Sequence, residues 1–240
     1  MAGPLEQFVI KPIIPIKVGD IDISFTNSSL FMVLTVLVAT LLLSLCLRKR
    51  EIIPTVSQSI PEGLYEFIAN LIKENVGAEG LKYFSLIFTI FLFVAFGNLI
   101  GLFPYSFTFT SHLAAVGTLS LIALSFNIII GIRKKKWGYL RTFMPKGIPA
   151  ALAPLIIPIE LISFLSKPFS LTVRLVANMT VGHIMLKIIS GFVIVLGVGG
   201  VVPLLFNSCI VFFEMFIALL QAFIYTVLSC IYLGDALHDH

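Results

Sequence analysis

The sequence predicts an all-α integral membrane protein, with about five membrane helices and one interfacial amphipathic helix. Three observations carry that reading. The 240 residues are 58% hydrophobic and 12% charged, with a mean hydropathy of +1.07, too apolar for a water-soluble domain to bury. The apolar runs are continuous over about 18 residues or more, which suits helices and not the alternating ten-residue segments of a membrane barrel. The cations cluster beside those runs, at Arg48-Lys49-Arg50 and at Arg133-Lys134-Lys135-Lys136, as the cytoplasmic loops of membrane proteins do.

Read in order as a single membrane domain over 1–240, the chain opens with a Pro-rich, partly apolar lead over 1–28. It lacks the basic region and cleavage site of a signal peptide, so the first span is expected to act as its own insertion signal. Thr26-Asn27-Ser28-Ser29 offers N-cap side chains for that span, residues 29–47, which stops at the first basic cluster. Residues 59–82 place Leu64, Phe67, Ile68, Leu71 and Ile72 at helical spacing, with Glu62, Glu66, Asn70, Lys73 and Glu74 opposite. That pattern predicts a helix lying in the interface.

The segment 83–132 holds the second span, 83–103, which ends at Pro104, and the third, 113–132, which ends at the second basic cluster with Arg141 and Lys146 close behind. The charge rule then places the N-terminus and the lysine-free Pro104–His112 loop outside, and both clusters inside. Gly97 and Gly101 have the small-xxx-small spacing that permits close helix approach. Residues 150–233 form two long apolar segments, 150–190 and 200–233, separated by GVGGVVP. The first exceeds what one upright span needs, so the pair is expected to be a strongly tilted hairpin, with kink sites at Pro154, Pro158 and Pro168.

Several classes are excluded. The net charge of +4 and pI near 9.0 come from membrane-flanking cations, not from a nucleic-acid motif, so no nucleic-acid partner is expected; membrane lipid is. No Walker A loop, dinucleotide fingerprint or HExxH motif is present, so neither a cofactor nor direct nucleotide binding is expected. Cys46, Cys209 and Cys230 lie in apolar stretches without metal-ligand spacing and read as packing residues. The 22 Phe against 6 Tyr and 1 Trp suit lipid-facing and helix-packing surfaces.

What remains is a set of polar residues inside the apolar C-terminal third. Arg174 carries a charge that cannot be shed and that costs about 2.5–3.5 kcal/mol at a bilayer centre on insertion scales. Glu160, Lys167 and Arg174 are seven apart and Asn178 follows four later, so they share one helical stripe unless Pro168 rotates it; Ser170, four before Arg174, lies near the same face. Glu214, Gln221 and Tyr225 are spaced by seven and four on the last segment. His183 lies half a turn round from Arg174 and is expected to meet Glu214 across the hairpin.

Singly, each residue has an ordinary explanation. Arg174 and Lys167 can snorkel, Glu160 can be an interfacial carboxylate, Asn178 and Gln221 can be hydrogen-bonding glue between helices, and His183 can simply pack. Jointly they supply a permanent cation flanked by titratable groups, the chemistry needed to pass protons without letting them run straight through. A stand-alone proton-coupled transporter is the alternative, although no internal repeat supports it. A purely structural assembly subunit would not need Arg174 and Glu214 in hydrocarbon.

The stretches SKPFSLTVRLVANMTVGHIML and FFEMFIALLQAFIYTVLSCIYL, with FTNSSLFM and GNLIGLFPYSFTFTSH earlier, resemble subunit a of the F-type ATP synthase in its alphaproteobacterial and mitochondrial branch, over nearly the whole chain. The resemblance implies a non-catalytic stator subunit that works with a c-subunit ring, peripheral-stalk b subunits and the other synthase subunits. The membrane is then a bacterial inner membrane, with the mitochondrial inner membrane as alternative. It implies that the hairpin lies against the c-ring, that Arg174 is the essential arginine facing the ring carboxylate, and that Asn178 and Gln221 support it. Glu160 and Ser170 would line the cytoplasmic half-channel, His183 and Glu214 the outer one. Other branches interchange Glu and His at 183 and 214, which supports their contact. Some relatives have carboxylates where this chain has Gly101 and Ser106, so the outer route here is expected to use other groups, among them Asn98, Ser106 and His112.

Overall fold

The computed structural model describes residues 8–18, 21–22, 24–48, 51, 55–103, 106–136 and 153–237. The expectations at Lys49, Arg50, Pro104, Arg141 and Lys146 fall outside the described residues. Six α-helices form among the described residues: α1 (Asn27–Cys46), α2 (Val56–Val76), α3 (Phe84–Gly101), α4 (Leu113–Lys135), α5 (Ala153–Leu196) and α6 (Val201–Leu237). Five stretches among the described residues are long and apolar enough to cross a membrane: α1, α3 with the 3-10 turn Ala78–Tyr83 before it, α4, α5 and α6. The chain is an all-α integral membrane protein.

The first span starts as its polar residues dictate. Thr26 Oγ1 accepts the Ser29 backbone N–H, satisfying a donor that the helix leaves orphaned, and Asn27 Oδ1 accepts the N–H of Ser28 and of Lys11. In α2, Ile68, Leu71 and Ile72 are buried while Glu62, Glu66, Asn70, Lys73 and Glu74 are exposed, the amphipathic division expected. α2 begins three residues early because the Thr55 carbonyl accepts from Gln58 and Ser59 and closes a turn ahead of Pro61. Phe67, on its apolar edge, meets the rings of Phe91 and Phe223.

Two features of the lead are new. β1 (Pro12–Ile14) pairs antiparallel with β4 (Phe25–Thr26), and β2 (Lys17–Val18) with β3 (Ile21–Asp22). Asn27 ties them to α1, its Nδ2 donating to the Val9 carbonyl. The Gly19-Asp20 pair between apolar residues was the available hairpin signal.

By contacts the chain divides into two compact units. The first comprises Met1–Leu43, Leu92–Val116 and Arg174–Ala222; the second comprises Ser44–Phe91, Gly117–Val173 and Phe223–His240. Of the 16 Lys and Arg, the first unit holds Lys11, Lys17, Arg174 and Lys187, and the second holds the other 12. In the second unit Lys134 pairs with Glu79 across an exposed surface, a contact worth about 1 kcal/mol at most.

α5 runs unbroken through Pro158 and Pro168. Pro168 cannot donate to the Phe164 carbonyl four residues back; Tyr232 of α6 supplies a long 3.5 Å hydrogen bond to that oxygen and packs its ring edge-on against Phe164 at 5.1 Å. Restoring a lost backbone partner in this way is what keeps a proline helix continuous in hydrocarbon. Lys167 lies over the same Tyr232 ring at 6.0 Å.

The charge rule makes a direct prediction. In a chain freed of Cys46, Cys209 and Cys230, single cysteines at Phe103, which is 69% exposed, and at Arg133 should react with an impermeant thiol reagent from opposite sides of the membrane. Labelling of both from one side would overturn the assigned topology.

Candidate functional site

In the first unit, α5 carries Arg174, Asn178, Gly182 and His183, and α6 carries Glu214 and Gln221. Arg174 is exposed and Asn178 half-buried, whereas Glu214 and Gln221 are buried at 5% and 3% exposure. Among the described residues no carboxylate lies within ion-pair distance of Arg174. It stands on a surface of exposed apolar side chains that includes Val173 and Val181.

Glu214 owes its place to Gly182. A Cβ at position 182 would fall 2.6 Å from Glu214 Cδ, so the carboxyl group occupies the space where any other residue would carry its side chain. Neither Glu214 oxygen, nor Gln221 Oε1, has a hydrogen-bond partner among the described residues. Glu214 is therefore a buried carboxyl group with unspent capacity to take or give a proton, a costly arrangement that membrane helices keep for chemistry.

No hydrogen bond joins His183 to Glu214, the pair expected to meet across the hairpin. His183 Nε2 lies 3.0 Å from Thr108 Oγ1, in the loop after α3, and Phe8 packs edge-on to the imidazole at 6.3 Å. Glu214 meets Gly182, the residue beside the histidine. The physical reason is rotation along α5, since adjacent residues point about 100° apart.

The outer-route groups are largely committed to structure. Asn98 is fully buried and donates from Nδ2 to the Ala218 carbonyl at 3.1 Å, fastening α3 to α6. Ser106 donates to a carbonyl at the end of α3, 2.7 Å to Phe103 or 2.9 Å to Gly101. His112 stacks on Phe107 at 5.1 Å, and burial pushes its imidazole pKa below the usual value, favouring the neutral ring. Gly97 and Gly101 approach not a second helix but Phe109 and Thr108 of the loop.

In the second unit, Glu160 is half-buried and Ser170 exposed. Two residues before Arg174, Thr172 is buried with its hydroxyl 2.9 Å from that of Ser120 on α4, and it donates to the Pro168 carbonyl. Tyr225 is 1% exposed and its hydroxyl has no hydrogen-bond partner among the described residues; it lines a small cavity with Ser120, Pro168, Ser229 and Tyr232. Cys230 is buried and Cys209 exposed on α6. Among the described residues no group of three metal-ligating side chains forms.

Thr108, Gly182, Thr172 and Tyr232 were missed by sequence reasoning. Each is an ordinary residue within an apolar or loop segment, and only the identity of its distant neighbour gives it a role.

A multi-span helical membrane protein that carries an arginine, a buried carboxyl group and a histidine on its apolar helices places more costly polar groups there than a passive anchor needs. Residues 29–234 match the ATP synthase A chain family. The chain is similar to ATP synthase subunit a of Rhodospirillum rubrum, 54% identical over 241 residues that cover all of both chains. It is likewise similar to those of Paramagnetospirillum magneticum, at 52% with all of both chains covered, and Mesorhizobium japonicum, at 46% with 98% of this chain and 96% of the relative covered. The chain belongs to the ATP synthase A chain family.

Proposed function

We propose that this chain is the proton-conducting stator subunit of an F-type ATP synthase in a bacterial inner membrane, working as a single membrane domain against a rotating ring of c subunits. The observation that carries the reading is Arg174, a permanent cation on an exposed face of a membrane helix with no carboxylate among the described residues within ion-pair distance. Such a charge calls for a partner from outside the chain, and a ring carboxylate supplies it. A proton enters from outside past His183 and Glu214 and neutralises a ring carboxylate, which then turns into lipid. After nearly a full revolution it leaves by a path near Glu160 and Ser170. Arg174 separates the two paths, and Asn178 and Gln221 support it.

The 12 cations gathered in the second unit support its charged ends lying on the cytoplasmic side. ATP chemistry belongs to other subunits, and the b subunits hold this one still. The driving term is about 2.3 kcal/mol per proton per 100 mV, so several protons are needed for each ATP. Solubilised in mild detergent, the chain should co-purify with a c-ring and a soluble ATPase, and the reconstituted complex should make ATP from an imposed proton gradient. A chain that purifies without either partner, yet moves a solute with protons, would establish the transporter alternative instead.

A further inference from the structure

Thr108 stands where two hydrogen bonds meet, and their directions are not independent. Its Oγ1 lies 3.0 Å from the Gly101 carbonyl oxygen and 3.0 Å from His183 Nε2. A carbonyl oxygen only accepts, whereas an imidazole nitrogen donates or accepts according to its tautomer. The hydroxyl has one hydrogen. Both contacts are hydrogen bonds only if Thr108 donates to Gly101 and His183 donates from Nε2 to Thr108. The Thr108 side chain is 4% exposed, Ser111 Oγ donates to its carbonyl at 2.6 Å, and a Cβ at position 101 would fall 2.8 Å from Thr108 Cγ2. The loop is therefore held on the α3 terminus at a spot that only a glycine leaves open.

We infer that Thr108 is a positioning residue for proton transfer, holding His183 in its Nε2–H tautomer so that Nδ1 alone binds and releases the transported proton. The Nε2–H donor is present in the neutral ring and in the imidazolium alike, so the Thr108 bond persists through both states. The proton adds to the Nδ1 lone pair and leaves from it, and no other bond is made or broken. The loop need not move as the histidine is loaded. This rests on the outer-path role proposed above. Among the described residues the charge that acts on the ring is Lys187, one turn on along α5; Glu214 of α6 lies against the adjacent Gly182, and His112, on the same loop as Thr108, stacks on Phe107. Phe8 adds an uncharged edge.

The test uses the assembled synthase in inverted vesicles, with ATP-driven proton pumping measured across pH for Thr108→Val, Thr108→Ser, His183→Gln and the Thr108→Val/His183→Gln pair. Thr108→Val keeps the volume but cannot accept; it should slow pumping by about fivefold, the scale of one hydrogen bond, and displace the pH profile. Thr108→Ser should restore most of the rate and the profile. In the His183→Gln background the valine should cost nothing further, because its effect passes through the histidine. Losses that multiply in the pair, an unshifted pH profile for Thr108→Val, or failure of serine to rescue would each assign Thr108 a packing role and overturn the inference. Normal pumping by His183→Gln would instead defeat the outer-path role itself, which separates the two failures.

Discussion

ATP synthesis driven by an imposed proton gradient is expected to fall to background in vesicles carrying Arg174→Ala or Arg174→Gln, while the complex remains assembled. Arg174 is exposed and packs no core, so its removal leaves helix contacts intact. What it removes, on the proposed mechanism, is the charge that meets the ring carboxylate. Breaking a desolvated ion pair costs about 3–5 kcal/mol, which corresponds to roughly a hundredfold loss or more. Arg174→Lys should also fail to support normal synthesis, since a compact ammonium lacks the planar fork of donors. With the charge gone, the two water paths are, on the proposed mechanism, no longer separated, and passive proton flux should rise. Subunit content by blot, synthesis and passive flux are the three measurements. Near-normal synthesis by an assembled Arg174→Ala complex would sink the mechanism.

The second large effect concerns Gly182. Any Cβ there must displace the Glu214 carboxyl group, because Cδ would lie at 2.6 Å from it. Gly182→Val is expected to reduce proton transport by about tenfold or more, the scale of an overpacking strain of 1–3 kcal/mol expressed at the transferring group. Gly191, also in α5 but with nothing within 4 Å of its added Cβ, supplies the control: Gly191→Val should transport normally. The double variant Gly182→Val/Glu214→Ala should be no worse than Glu214→Ala alone, since the smaller side chain removes the clash along with the carboxyl. Multiplying losses in that pair would mean that valine acts through the backbone of α5 and not through Glu214.

The spans were legible because membrane helices answer to length and apolarity, both printed along the chain. The stop at Arg48, the capping Thr26 and the buried stripe Ile68, Leu71 and Ile72 all follow from local rules, and local rules survive folding. The residue types of the site were legible for a related reason: Arg174 and Glu214 are conspicuous in hydrocarbon wherever they point. Their partners were not. Thr108 acquires its role from a histidine 75 residues away, and Tyr232 from a carbonyl 68 residues back. Gly182 carries no side chain to notice; its meaning is the shape of Glu214. The His183–Glu214 pairing was a reasonable inference from two polar helices facing each other, but an offset of one residue along α5 was enough to send the histidine to the loop instead.

The unbroken run of α5 through both prolines has a consequence for where the membrane voltage acts. Its 44 residues have a contour of roughly 66 Å at 1.5 Å per residue, about twice the 30 Å hydrocarbon thickness. Kept straight and within hydrocarbon over that length, the helix would lean by roughly 60° from the membrane normal. Nine residues separate Arg174 from His183, roughly 13 Å along the axis; at that lean they differ in depth by only about 7 Å and are offset sideways by about 12 Å. A quarter of the membrane potential then falls between them, about 0.5 kcal/mol per proton at 100 mV. On the proposed proton path the electric field would do little work over that leg. Sideways travel dominates it, and sideways travel is the direction in which a ring turns.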